Sequence, residues 1–391
     1  MRNSSPFFYV FILEIKGIIM KKVFLFSMLV FFSIFLNVFA DGIPIDVFSS
    51  GDEEYHTYRI PSLIKTQKGT LIAFCEGRKN SVSDTGDIDL IYKLSKDDGK
   101  IWSKTRVLWD NDNNTCGNPC PVIDRKTGNI IMLMTWNRGD DHEMEIINGV
   151  SKDTRRVYIS YSSDDGHTWS KPEEITQSVK HPDWNWYATG PGIGIQMTGD
   201  KYKNRIIIPC NHSNKNDKNW YSHIIYSDDG GKTWAYSNPI GPKSNECQIV
   251  ELPDDRLLIN MRNYNREYPC RSISTSNDGG LSWSNLTYDL VLIEPICQAS
   301  LIKHQSTKES YLVFANPADK NKRLKMTIKV SCDYGKTWKY ETIIYRGPSA
   351  YSSLYSLNEN EIGILFEYGN KSPYEKIVFQ KIDIQEIVGE K

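Results

Sequence analysis

The chain has 391 residues, with 47 Lys+Arg against 48 Asp+Glu and a formal net charge of -1. That balance excludes the basic footprint of a nucleic-acid binder, and a mean hydropathy below zero excludes a polytopic membrane protein. Aromatic residues are 12% of the chain, enough apolar area to argue against disorder. Length alone suggests two or three domains, although all-β proteins often run this long as one unit.

At the N-terminus, Lys21 and Lys22 precede an uncharged apolar run over 23–36, and Asn37, Val38, Phe39 and Ala40 follow. A positive segment, an apolar segment and small residues at Val38 and Ala40 describe a secretory leader ending at residue 40. The competing reading is a membrane anchor, but the 18 residues of 23–40 are at the short limit for spanning. Met20 stands just before the lysines and reads as an alternative start, with 1–19 upstream of it. The expectation is therefore a signal peptide over 1–40 and one domain over 41–391, where no Pro/Gly/Ser-rich linker intervenes. Such a protein is secreted, periplasmic or on the cell surface, without stable membrane insertion once the leader is removed.

All eight cysteines lie beyond the leader, at 75, 116, 120, 210, 247, 270, 297 and 332. Their spacing is scattered, and they read as buried thiols. Cys116 and Cys120 are too isolated for a zinc site, which usually has two ligand pairs. His212, like the other histidines, lacks a partner at metal spacing, and no phosphate- or dinucleotide-binding fingerprint occurs. Neither a metal nor a cofactor is expected.

The pattern Ser-x-Asp-x-Gly-x-(Thr/Ser/Ile)-Trp recurs five times, starting at Ser95, Ser162, Ser227, Ser276 and Ser331 and ending at Trp102, Trp169, Trp234, Trp283 and Trp338. Each copy follows a short run rich in β-branched and aromatic residues, at 90–94, 157–161, 223–226, 271–275 and 326–330. The Asp can accept backbone amides and close a turn. The Gly supplies positive φ, and the Trp can anchor the hairpin in an apolar layer. One such hairpin per four-stranded sheet, repeated radially, predicts a β-propeller. Five copies fit an all-β, six-bladed propeller of four-stranded antiparallel blades in which one blade lacks its repeat. The only helix suggested is a short one over 380–388.

These repeats resemble Asp boxes, and Tyr58-Arg59-Ile60-Pro61 resembles the Phe/Tyr-Arg-Ile-Pro motif of sialidases (neuraminidases). Together they make a specific combination, and the resemblance continues in order over 50–385. It implies three arginines for the sugar carboxylate, at Arg59, at Arg262 in Asn-Met-Arg262-Asn, and at Arg323 in the Lys-rich segment before 324–331. Guanidinium suits that task because it binds a carboxylate bidentately and stays charged. The resemblance further implies that Arg78 of Glu76-Gly-Arg78 contacts the O4 side and that Asp84 is the acid/base, with Asp87 the runner-up and Asp89 a further alternative. A general acid calls for a raised pKa in the bound site. Tyr351 of Pro-Ser-Ala-Tyr351 matches the family nucleophile and Glu246 its partner, with Tyr355 and Glu251 as nearby decoys. Glu367 matches the carboxylate that orients Arg59, and Asn118 of Asn-Pro-Cys-Pro matches a loop lining the acetamido pocket. The segment Ile208-Pro209-Cys210-Asn211-His212 departs from a tyrosine-bearing version in some relatives, which leaves the N-acyl preference open.

The resemblance implies a secreted exo-α-sialidase, acting with retention on sialylated glycoproteins, glycolipids or oligosaccharides through a covalent tyrosyl intermediate, and a monomer. A trans-sialidase, including the intramolecular kind, is the alternative in the same class. A non-catalytic sialic-acid-binding propeller would require loss of Tyr351, Glu246 or Asp84, and all three are present.

Overall fold

The strands that will carry the site are buried along nearly their whole length. Thr57–Lys65 is buried except at Lys65, and Leu71–Arg78, Ile88–Ser95 and Ser244–Glu251 are buried throughout. Unbroken burial means both sheet faces are covered, which is what packing sheet against sheet requires. The computed structural model describes residues 42–389. From Pro44 on, the described residues group as one compact unit. The leader reading of 1–40 and the alternative start at Met20 lie outside the described residues.

The architecture is all-β, and the described strands form four hydrogen-bonded sheets. The first runs from Thr57–Lys65 to Glu173–Glu174, and its two antiparallel halves meet only through one parallel pair, Ile88 with Thr115. The second contains Trp184–Thr189, Ile206–Asn214, Trp220–Ser227 and Ala235–Tyr236, with Ile195–Gln196 alongside. The third contains Ser244–Glu251, Leu257–Asn263, Cys270–Ser276 and Thr287–Ile293. The fourth is threaded by the 17-residue strand Tyr340–Ser356. Its first part pairs with Leu324–Ser331 and its second with Glu361–Tyr368. The first described strand, Ile45–Ser49, pairs antiparallel with the last, Lys376–Asp383, tying the ends of the unit together.

The repeats do what their residues predict. Asp97, Asp164, Asp229, Asp278 and Asp333 accept the backbone N–H four residues on at 2.8–3.0 Å. The five box glycines all have φ between +80° and +92°. Each box also lies against the preceding sheet segment. A Cβ on Gly166 would meet Ile72, on Gly231 Ile131, on Gly280 Ile224, and on Gly335 Leu258. The first box packs on the last strand, with a Cβ on Gly99 meeting Phe379 and the Trp102 ring 5.6 Å from it. Apolar clusters fill the spaces between successive sheets, and the box tryptophans pack at their edges.

The predicted C-terminal helix is shorter than the 380–388 expected. Gln380 is still in the strand, paired with Ile364, and the helix is Ile384–Val388. Asp383 caps it by accepting the Gln385 N–H, and Gly389 ends it at φ 75°. An unpredicted six-residue helix, Glu143–Asn148, follows the strand Ile130–Asn137. No helix among the described residues is long and apolar enough to cross a membrane. Seven of the eight cysteines are buried free thiols, as expected of core thiols, and Cys332 is half-buried.

Candidate active site

Arg59 comes from a strand that has to bend. Its pairing with Leu71–Arg78 slips between Arg59 and Ser62, and Ile60 sits at φ +63°. A β-branched residue there is strained, so something must over-determine the backbone. Glu367 does so from the strand Glu361–Tyr368. Its Oε1 accepts Arg59 Nε at 2.8 Å and Ile60 N at 3.0 Å, and its Oε2 accepts Tyr351 N at 3.0 Å. One fully buried carboxylate thus fixes a guanidinium and the backbone of a tyrosine 308 and 16 residues away in sequence.

The Tyr351 hydroxyl donates to Glu246 Oε1 at 2.6 Å. Arg262 Nη1 reaches both members, 2.7 Å from Glu246 Oε2 and 3.1 Å from Tyr351 Oη. Burial, then Glu246, pushes the phenol well above its ordinary pKa, against the pull of Arg262, Arg323 and Arg59. Tyr351 is therefore a neutral phenol in contact with a base, surrounded by cations. The other arginines converge on it: the Arg59 guanidinium lies 5.0 Å from its ring centre and Arg323 5.5 Å. Arg59 and Arg323 also share Tyr374, at 4.3 Å from the ring centre and by a 2.8 Å hydrogen bond to its hydroxyl. Arg262 Nε is buried without a partner, leaving a donor uncommitted.

Asp84 stands at the rim with its side chain 62% exposed, 2.7 Å from Arg78 Nη2 and 3.4 Å from Arg59 Nη1. Desolvation raises its pKa, but Arg78 and Arg59 outweigh this and hold it below the usual carboxylate value. The shift is thus opposite to the one a general acid needs when substrate is bound. Arg78 itself is buried on Glu76 Oε2 at 2.7 Å and on Val82 O at 2.6 Å.

Arg59, Arg78, Asp84, Asn118, Glu246, Arg262, Arg323 and Tyr351 all line one cavity, with Glu367 behind it. The alternatives fall elsewhere. Asp87 and Asp89 are taken by Lys79 at 3.0 and 3.1 Å, and Asp89 also accepts from Tyr55. Glu251 accepts the Thr198 and Gly199 amides, and Tyr355 lines a different cavity. Asn118 sits at φ +52° beside Gly117, where any Cβ would come within 2.3 Å of Glu76 Oε1. The bare glycine lets Glu76 reach Asn118 N at 3.0 Å.

Sequence reasoning missed Glu143 on the short helix, Arg155, Trp186, Trp220 and Tyr264, each single and outside any local motif. Asn211, from the Ile-Pro-Cys-Asn-His segment, and Asn245, beside Glu246, line the cavity too. His212 does not face the cavity; its ring stacks on Trp184 at 3.8 Å and contacts His223. No group of metal-ligating side chains occurs among the described residues.

Residues 69–364 match the family model of the BNR repeat-like domain. The chain is 31% identical over 365 residues to a sialidase of Bacteroides fragilis, covering 88% of this chain but only 65% of that protein. It therefore spans less than two thirds of that relative's length. It is 28% identical to an exo-alpha-sialidase of Aspergillus fumigatus, covering 85% of this chain and 86% of the relative. Among solved structures, the Hadza microbial sialidase Hz136 superposes with a TM-score of 0.80 at 31% identity, covering 88% of this chain and 69% of that one.

Proposed function

Because the chain belongs to the BNR repeat-like family, we propose that it is an exo-α-sialidase, a glycoside hydrolase that releases terminal α-linked sialic acid with retention. The observation that carries this reading is the 2.6 Å contact of Tyr351 with Glu246 beneath three arginines that converge on one point. Sialic acid bears a carboxylate on its anomeric carbon. A second carboxylate as nucleophile would meet like-charge repulsion there, whereas a neutral phenol relayed to a base does not.

The steps follow from the atoms. Arg59, Arg262 and Arg323 bind the substrate carboxylate. That anion cancels part of the positive field on Asp84, so its pKa rises as substrate docks and it can hold a proton for the leaving oxygen. Tyr351 Oη attacks the anomeric carbon as its proton passes to Glu246, the glycosidic bond breaks, and Asp84 protonates the departing oxygen. Asp84, now a base, takes a proton from water as the resulting hydroxide displaces Tyr351 Oη, which recovers its proton from Glu246; this second inversion gives net retention. Arg78 faces the O4 side and Asn118 the acetamido group.

The same proposal divides the fold into six four-stranded blades. Cutting the first sheet at the Ile88–Thr115 pair and the fourth within Tyr340–Ser356 gives six antiparallel units, with Ile45–Ser49 completing the last. The box contacts, each to the preceding unit and the first to the last, support closure. The leader over 1–40 would export the chain to the periplasm, cell surface or medium. There it would act as a monomer on glycoproteins, glycolipids or oligosaccharides.

The purified protein is expected to cleave a fluorogenic sialoside. Tyr351→Phe should lose most turnover while retaining carboxylate-dependent binding, and Arg262→Ala should weaken both. No cleavage by the wild type, or full turnover by Tyr351→Phe, overturns the reading.

A further inference from the structure

We propose that Arg155 is a positioning residue that turns Asn118 into a pure hydrogen-bond donor for the acyl oxygen on C5 of the sugar, so that the pocket selects N-acylated over 5-hydroxy sialic acids. The inference rests on the sialidase reading above and names which sugar that site takes.

Arg155 is a fifth arginine in the cavity wall, 2% exposed, and has no carboxylate in contact among the described residues. Its Nη1 donates to Asn137 Oδ1 at 2.5 Å, its Nη2 donates to Asn118 Oδ1, and its Nε is buried without a partner. The guanidinium lies 4.1 Å from the centre of the Trp186 ring. Burying a cation without a counter-ion is costly. Here burial draws the pKa down to about 10, despite Glu76, Glu143 and Asp84 in the surroundings. A chain that needed only a packed core would place a neutral side chain there.

What the cation achieves is visible at Asn118. An arginine can only donate, so the atom it contacts must be the amide oxygen. Thr135 Oγ1 donates to the same oxygen at 2.9 Å. Both lone pairs are then used, and the amide cannot flip without setting two donors against its NH2. The backbone is fixed as well: Asn118 N donates to Glu76 Oε1 at 3.0 Å, and Asn118 O accepts from Thr189 Oγ1 at 2.6 Å. Only Nδ2 is left without a partner among the described residues, on a residue that lines the cavity.

The chemistry of the sugar supplies the acceptor. C2 and C5 lie across the pyranose ring, so a carboxylate held by the arginines around Tyr351 sends the C5 substituent toward the wall away from that tyrosine. Asn118, Arg155 and Trp186 all line the cavity, and in the proposed ring Asn118 and Arg155 belong to the second blade and Trp186 to the third, across from Arg323 and Tyr351 on the fifth and sixth. An acylamino group carries a carbonyl oxygen that only accepts, matched to a wall that only donates, and its alkyl end meets the Trp186 face. A 5-hydroxyl is shorter and carries neither feature.

The test compares kcat/KM for matched fluorogenic sialosides of N-acetyl and 5-hydroxy sugars. The wild type should favour the N-acetyl sugar. In Arg155→Met the preference should fall about tenfold, mainly through KM, the worth of roughly one hydrogen bond. Asn118→Asp guards against misfolding, since it changes only the unpartnered Nδ2 to oxygen and gives Arg155 a carboxylate. It should melt no lower than the wild type and lose the preference at least as strongly. A wild type without preference, or variants in which both substrates fall in parallel, would overturn the proposal and leave the sialidase reading intact. A wild type that cleaves neither sugar removes both.

Discussion

Glu367→Gln perturbs the site without touching substrate. The carboxylate serves two oxygens at once: Oε1 takes Arg59 Nε and Ile60 N, and Oε2 takes Tyr351 N, with Arg59 Nη2 at 3.5 Å. Glutamine has one carbonyl oxygen, so its NH2 must face two donors whichever way it turns. The change also strips the buried counter-ion from Arg59, which is 5% exposed, and leaves it only Asp84 at the rim. Breaking a buried pair while keeping one member costs about 3–5 kcal/mol. With an unfolding entropy near 2 cal/mol/K per residue over about 350 residues, 3 kcal/mol lowers Tm by about 4 °C. Ile60 is held in a strained conformation by the same carboxylate, so Arg59 and Tyr351 should both lose registry and kcat/KM should fall about a hundredfold. Differential scanning fluorimetry and a fluorogenic sialoside read the two effects. Asp140→Asn, in the exposed pair with Arg138, should change neither. A Glu367→Gln protein with unaltered Tm and kcat/KM would refute the reasoning.

Asp84→Asn should cost about 10²–10⁴-fold in turnover of an alkyl sialoside and far less for an aryl sialoside, whose leaving group needs no proton; equal losses would remove Asp84 as the acid. Since Arg78 and Arg59 hold Asp84 low in the free enzyme, the basic limb of kcat/KM should lie at lower pH than that of kcat, and coincident limbs would contradict the field argument. Burial pulls His223 down to about 3, and burial followed by His223 holds His212 well below its usual value. The unfolded chain takes up those protons near 6.5, so stability should fall as pH drops from about 6.5 toward 3, and His223→Gln should reduce the slope by about one proton; an unchanged slope in urea titrations would exclude the pair. Gly231→Ala places a Cβ 2.8 Å from Ile131 Cδ1 at φ +90° and should destabilise by roughly 1–3 kcal/mol; an unaltered Tm would show that this turn tolerates a side chain.

The parts of the fold and site that were legible in sequence are those written locally. A box carries its Asp acceptor, its left-handed Gly and its Trp within eight residues, so one hairpin could be read at a time. Arg59, Arg262 and Tyr351 each sit in a short motif whose order along the chain survives. Spacing from Arg78 puts Asp84 ahead of Asp87 and Asp89, but the physical reason is not local: Lys79 claims the other two. Arg155 stands in the polar segment Lys152-Asp153-Thr154-Arg155-Arg156 and reads as solvated. Its guanidinium is buried against Asn118, Asn137 and the Trp186 ring, all distant from it in sequence. The helix carrying Glu143 spans fewer than two turns, too short for a periodicity to register.

The central claim is that Tyr351 becomes covalently bonded to the anomeric carbon. A 3-fluoro sialosyl fluoride tests it directly, because the second fluorine destabilises the oxocarbenium-like transition state and slows release of the intermediate. After inactivation and digestion, mass spectrometry should find the sugar on the peptide containing Tyr351, and activity should return as the label is lost. An enzyme that turns over ordinary sialosides yet carries the label on another residue, or on none, would contradict the account.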